Sequence, residues 1–257
     1  MILSPCIEWI FAAEHPEFAD RIRAASAAGL SAVEFHLWRA KPLDAVEKAL
    51  DETGVQLTSL VVDPRVHLVN PAAREAILSA VRETFPVAKR LRCPAIVVAS
   101  GPLMPGASLA VQHDTLVGHM KAVAPYAEDA GVTVLLEPVN TTVDHPGMYL
   151  DTTPKGLDAV EAVGSTRVRL LWDLYHSAAM GEDPEAVIGE RMHLVAHVQA
   201  ADHPGRNEPG SGGINWARAM AVLKAGGYQG AIGLEYRPTG DSLASVRLAQ
   251  VSLGLGV

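Results

Sequence analysis

Four oxygen-bearing side chains recur near the ends of four separate apolar runs: Glu137 in "LLEPVN", Asp173 in "LLWDLYH", Gln199 in "HVQAAD" and Glu235 in "GLEYRP". If each run is a strand, alternation places Thr133, Leu135 and Glu137 on one face. It does the same for His197, Gln199 and Ala201, and for Ala231, Gly233 and Glu235. Should these faces point inward, three carboxylates and one amide oxygen converge. Carboxylates crowded in a poorly solvated centre repel one another, so either one takes up a proton or a cation sits between them. An all-oxygen donor set suits hard Mg²⁺ or Mn²⁺, whereas zinc usually recruits imidazole or thiolate. The competing reading is separate surface carboxylates or ordinary ion pairs.

Other polar residues lie close to these in sequence. His176, three residues after Asp173, is placed to contact a substrate oxygen or assist proton transfer, although a lone histidine is more often simply hydrogen-bonded or solvated. Arg206, in "DHPGRNEPG", carries the planar fork that anchors a carboxylate or phosphate. His203 and Glu208 flank it, to contact substrate or to orient Arg206 or a metal ligand. Glu34, in "AVEFH", either supports the site from behind or forms a structural ion pair. Trp9, His36, Trp38 and His67 follow the first three strand candidates and are read as packing or surface residues before pocket walls. Cys6 and Cys93 have no metal-binding spacing and read as small core residues. No GxSxG elbow or GxxxxGK[ST] loop occurs, so nucleophilic serine chemistry and phosphate cradling lack a motif.

The elements that must position these residues alternate along the chain. Strand candidates "ILSPCIEW", "AVEFHLW", "VQLTSLVV", "AIVVAS", "VTVLLEPVN", "VRLLWDLYH", "LVAHVQAAD" and "GAIGLEYRP" are separated by helical segments. The first two of these contain "PEFADRIRAASAAG" and "PLDAVEKALDETG"; the rest cover 71–91, 108–130, 154–163, 184–191 and 215–226. Several helices stop at a glycine, as in "ETGVQL" and "DAGVTVLL", because glycine accepts the left-handed cap. Alternating β and α elements imply parallel strands joined by crossover helices. Eight such units close into a (β/α)8 barrel, an α/β fold whose active sites lie at the carboxyl ends of the strands. The Pro/Gly-rich segments 101–106 and 203–213 follow strands and are therefore read as site loops within a single domain, 1–257.

A net charge of −8 on 257 residues recommends neither nucleic acid nor an anionic membrane as partner, leaving a small molecule as the expectation. No apolar run approaches the length of a membrane span, and no signal-like segment opens the chain, so a soluble cytoplasmic protein is expected.

Taken in order, "LLEPVN", "HPGMYLDTT", "WDLYHS", "HVQAADHPGRNEPGSGGINW" and "GLEYRP" resemble the hydroxypyruvate isomerase family, within the xylose-isomerase-like sugar isomerase and epimerase superfamily. The resemblance is dense over 132–238 and looser before it. It implies a TIM barrel with one divalent ion, Mn²⁺ or Mg²⁺, held by Glu137, Asp173, Gln199 and Glu235. Glu137 and Glu235 would be the acid/base pair, with His176 and Arg206 on the substrate. Related ketose 3-epimerases usually place a histidine where Gln199 stands, so the glutamine leans toward the isomerase branch. Two departures are a short loop after the third strand, "VVDPRVHLVNPAAREAI", and Gly213 where the resemblance leads one to expect a glutamate. The expected activity is a metal-assisted aldose–ketose type isomerisation of a small hydroxy-keto acid, in a chain capable of forming a homo-oligomer. Its rivals are a ketose epimerase, a sugar-acid dehydratase and a non-catalytic sugar-binding protein.

Overall fold

The computed structural model describes residues 1–255. The strands are β1 (Ile2–Pro5), β2 (Ala32–Val33), β3 (Gln56–Leu57), β4 (Leu60–Val61), β5 (Ala95–Ala99), β6 (Thr133–Glu137), β7 (Val168–Asp173), β8 (Val195–Ala200) and β9 (Ala231–Leu234). Every ladder between them is parallel, in the order β1-β9-β8-β7-β6-β5-β4, with β2 paired to β3. β3 and β4 are two pieces of one stave: the first pairs back to β2 and the second forward to β5. A bridge between Cys6 and Glu34 completes the ring, with the Glu34 N–H donating to Pro5 O (3.0 Å) and the Ile7 N–H to Glu34 O (2.9 Å). Eight staves thus close into the expected barrel.

Helices α1 (Phe18–Ala27), α2 (Leu43–Thr53), α3 (Arg74–Arg90), α4 (Leu109–Ala130), α5 (Thr153–Val163), α6 (Leu174–Ala179), α7 (Pro184–Ile188), α8 (Trp216–Ala225) and α9 (Ser242–Ser252) lie between and after the strands. Helix α3 buries Ile77, Leu78, Val81, Phe85 and Ala88, the three- and four-residue spacing of a single apolar stripe. Helices α2 and α4 end at Gly54 and Gly131, both at φ 70°, where a side chain would strain the left-handed cap.

Two expected elements differ. The run "VRLLWDLYH" does not stay extended to His176. The Asp173 Oδ1 accepts the Tyr175 N–H at 2.8 Å and caps α6, so the chain turns helical at Leu174. Helix 184–191 divides into α7 and a 3₁₀ turn over Arg191–Leu194, with Gly189 between them. Helix α9, which completes the last βα unit, has no counterpart among the helices read from sequence. Among the described residues no helix is long and apolar enough to cross a membrane.

The apolar interior has two layers. The larger lies between strands and helices, which explains why β5, "AIVVA", is apolar on both faces. The smaller lies inside the barrel and consists of Ala95, Val97, Leu135 and Leu171, with Val61 packed against it. Inward-facing Leu135 and Leu171 fix the phase of their strands. Two residues further on, the same alternation turns Glu137 and Asp173 toward the barrel axis.

Candidate active site

A cavity of about 540 Å³ opens at the carboxyl ends of the strands and reaches down to Val61 and Val97. His36, Glu137, Asp144, His176, Arg206 and Glu235, with Arg65, His145 and Arg237, supply its polar lining. Asp173 and Gln199 lie deeper, on adjacent strands and in direct register with each other. The Asp173 Oδ2 and the Gln199 Oε1 are both buried, and neither has a hydrogen-bond partner. Leaving such oxygens unpaired costs about 1–3 kcal/mol each, so this pair calls for a missing electropositive neighbour.

Gln199 is aimed by Glu34, a side chain from the opposite arc of the barrel. The Gln199 Nε2 donates to Glu34 Oε1 at 2.7 Å, which fixes the amide and turns Oε1 away. The other Glu34 oxygen pairs with His197 Nε2 at 2.7 Å and accepts the Ser59 hydroxyl at 3.3 Å. A Cβ on residue 233 would come within 2.5 Å of Glu34 Oε1, so Gly233 leaves room for this carboxylate.

The carboxylates above it are electrostatically strained. Burial pushes Glu137 well above the ordinary carboxylate range, and the charges of Glu235 and Asp173 push it further. Burial likewise raises Asp173, to about 7, although the Arg206 cation opposes the rise. Glu235 goes the other way. Its burial cost is outweighed by Arg206, whose Nη2 lies 2.8 Å from Glu235 Oε2, and by His36, whose Nε2 lies 2.6 Å from Oε1. His176 is lowered to about 3 by burial and by the nearby Arg206 cation, leaving a neutral imidazole. Asn140 Nδ2 donates to its Nδ1 at 2.7 Å, which assigns the ring proton to Nε2. That nitrogen faces Asp173 Oδ2 (3.5 Å) and Glu137 Oε1 (3.7 Å).

These residues fit a divalent cation. Glu137, Asp173, Gln199 and Glu235 are the all-oxygen set singled out in the sequence, and two of their oxygens are buried without partners. Their mutual repulsion is the kind that a bound cation removes. Glu137, Asp173 and His176 present ligand-capable atoms within 4.8 Å of one another, as do Cys6, His36 and Glu235.

Arg206 sits in the left-handed region at φ 54°, a conformation that costs a non-glycine residue about 1–2 kcal/mol. The loop that holds it there is organised by the buried Asp202. Its Oδ1 accepts the N–H groups of His203 (2.9 Å) and Ile214 (3.0 Å), and its Oδ2 accepts those of Gly210 (2.7 Å) and the Trp216 indole (2.9 Å). The guanidinium lies 4.9 Å from the Tyr175 ring centroid and 5.5 Å from that of Trp9, and its buried Nε has no acceptor.

Two residues expected at the substrate lie elsewhere. Glu208 accepts hydrogen bonds from the Thr239 N–H and hydroxyl and from the Ser245 hydroxyl, tying its loop to α9. His203 packs beside Tyr175, with 5.8 Å between ring centroids, and does not line the cavity. Trp38 donates its indole N–H to Thr84, and His67 bonds to Pro102 O, so both serve packing. Trp9 and His36, read mainly as packing residues, do line the cavity. Asn140, His145 and Arg237 lie inside the runs that carry the resemblance, but nothing in the sequence assigns them, Asp144 or Arg65 a role. The one available signal was position, since Asn140 through His145 follow directly after the strand that ends in Glu137.

Comparison with known proteins adds three likenesses. A Homo sapiens protein provisionally named hydroxypyruvate isomerase is 31% identical over 256 residues, covering 92% of this chain and 90% of its own. A 2-oxo-tetronate isomerase of Cupriavidus necator is 28% identical over 244 residues, covering 92% and 94%. The crystal structure of a Brucella melitensis protein named AP endonuclease, family 2, superposes with a TM-score of 0.87 at 26% identity over 96% and 97% of the two chains. The family model described as xylose isomerase-like TIM barrel matches residues 22–250, and with the closed barrel and the acidic centre at its strand ends this chain belongs to that family.

Proposed function

We propose that the protein is a divalent-metal-dependent isomerase of small hydroxy-keto acids, moving a carbonyl between neighbouring carbons by proton transfer. The observation that carries this reading is the pair of buried, partnerless oxygens, Asp173 Oδ2 and Gln199 Oε1, beside two glutamates that face one cavity. The names of the human and Cupriavidus relatives support the reaction class.

Glu137, Asp173, Gln199 and Glu235 would hold the cation, which when bound supplies positive charge against which a carbonyl oxygen can gain negative charge. One glutamate removes the carbon-bound proton, and the same or the opposite glutamate returns it to the adjacent carbon. Arg206 stands against the negative charge that this transfer leaves on the substrate. The Nε2–H of His176 is a neutral donor to a second oxygen. Gln199 completes the donor set without adding a fourth negative charge.

The test is a substrate panel of hydroxypyruvate, 2-oxo-tetronate and neutral ketoses, run with Mn²⁺, Mg²⁺ or EDTA. Keto-acid isomerisation that needs added metal is expected, with solvent hydrogen entering the product. Full activity in EDTA would remove the metal-dependent reading. The name of the Brucella protein points instead to abasic DNA, against which the net charge of −8 argues. Cleavage of abasic DNA by metal-loaded protein would replace the isomerase.

A further inference from the structure

The cavity uses its arginines in two ways. Arg206, at the floor, is already engaged: Glu235 Oε2 is at 2.8 Å, Asp144 Oδ2 at 3.6 Å and Asp173 Oδ2 at 3.9 Å. It balances an acidic floor. Arg65, in the loop after β4, and Arg237, just after β9, also line the cavity, and both are exposed. Of the three arginines that line the cavity, Arg206 is paired with carboxylates and, among the described residues, Arg65 and Arg237 are not. The Arg237 guanidinium lies 5.6 Å from the Trp9 ring centroid, and the Arg237 backbone N–H donates to Arg206 O at 3.1 Å, so its backbone is tied to the loop that carries the floor cation.

An anionic substrate entering this cavity meets Glu137, Asp144, Asp173 and Glu235, and an arginine that those carboxylates already neutralise. Its own carboxylate needs a cation with free donors. We propose that Arg65 and Arg237 form the carboxylate subsite at the mouth, and that Arg206 serves as counter-ion of the floor. Size supports a substrate that reaches between the two. Hydroxypyruvate has seven heavy atoms; at about 30 Å³ each, the share of one liquid water, it fills about 200 Å³ at most. The cavity holds about 540 Å³. The cavity therefore has room for open-chain acids of four or more carbons. The substrate class rests on the isomerase reading; the anion site itself does not.

The test uses two probes that cannot isomerise: erythronate, a four-carbon acid, and erythritol, its neutral twin. Their affinities are measured calorimetrically on wild type, R65A/R237A and R65K/R237K, with Mn²⁺ and in EDTA. The preference for erythronate over erythritol should fall in the alanine variant on the order of 10- to 100-fold, with much of it restored by lysine. With 2-oxo-tetronate as substrate the alanine loss should be carried by KM rather than kcat. An unchanged preference in R65A/R237A overturns the proposal, as does a lysine variant that loses as much as the alanine one. If wild type turns over no keto acid, yet erythronate binding in EDTA still depends on the two arginines, the isomerase reading fails and the anion subsite stands.

Discussion

The barrel has two unequal arcs. Strands β5 to β8 run five or six residues, with ladders joining each to the next. On the other arc β2, β3 and β4 run two residues each, and the closure between β1 and β2 rests on the Cys6–Glu34 bridge. The regular arc delivers Glu137, Asp173 and Gln199, aimed by strand register. The irregular arc delivers the groups that tune them: Glu34 reaches across to Gln199, His36 to Glu235, and Arg65 to the cavity mouth. Long ladders fix where a side chain points. Short ones leave the backbone free to send side chains across the barrel.

If the acids at the strand ends carry the chemistry and the irregular arc tunes them, the largest effects should come from the two glutamates. Glu137→Gln and Glu235→Gln are each expected to lower kcat by about 10²- to 10⁴-fold, the usual contribution of a positioned acid or base. Glu137→Gln should not destabilise the metal-free fold, because burial and the neighbouring carboxylates already disfavour the charged form that the substitution removes. Solvent-deuterium incorporation into substrate and thermal melting in EDTA read the two effects separately. Undiminished exchange in both variants would leave proton transfer without its agents.

A smaller effect should follow from the irregular arc. Glutamine at position 34 presents one oxygen and one NH2 group to two neighbours that both use the carboxylate, Gln199 Nε2 and His197 Nε2. One contact is lost, and the Gln199 amide is free to turn its oxygen away from the floor. Glu34→Gln should weaken Mn²⁺ binding by about 10- to 100-fold, the usual cost of removing a group that orients a ligand. Gly233→Ala should act in the same direction, because its Cβ displaces the same carboxylate. Titration followed by Mn²⁺ electron paramagnetic resonance checks both, and wild-type affinity in Glu34→Gln would reduce that residue to a packing role.

The same contrast explains what the sequence could disclose. Period-two alternation over the longer strands brings Glu137, Asp173, Gln199 and Glu235 toward one centre, because each follows an inward residue by two positions. The barrel was legible from eight strand candidates and their glycine stops. His176 stood out by its spacing from Asp173, but the helix carrying it did not: a side chain that caps through its own Oδ1 looks, in sequence, like one more strand residue. Glu208 and His203 were expected at the substrate because a polar loop gives no sign of which side chains face inward. Arg65 and Arg237 went unmarked because their significance is a shared place on the cavity wall, a property that exists only once the chain has folded.

The smallest effect should lie in the loop that bridges the two arcs' contributions, at Asp202. Asparagine there keeps one oxygen but turns an NH2 group toward two of the four N–H donors that the carboxylate now accepts. The lost charge-assisted bonds should cost about 1.5–3 kcal/mol of stability. Activity should fall only several-fold, as Arg206 loses its backbone support. The pH dependence has a definite sign. Burial opposes ionisation of Asp202, but the hydrogen bonds it accepts, from Trp216 and from the Ile214 and Gly210 N–H groups among others, together outweigh it and lower its pKa. A carboxylate lowered in the folded state stabilises fully above its unfolded pKa, near 4, and loses that contribution as pH falls through the folded value. The difference in Tm between wild type and Asp202→Asn should therefore be full at pH 7 and shrink below about pH 4. A difference that persists undiminished at pH 2.5–3 would mean that shape, not charge, is what Asp202 gives the loop.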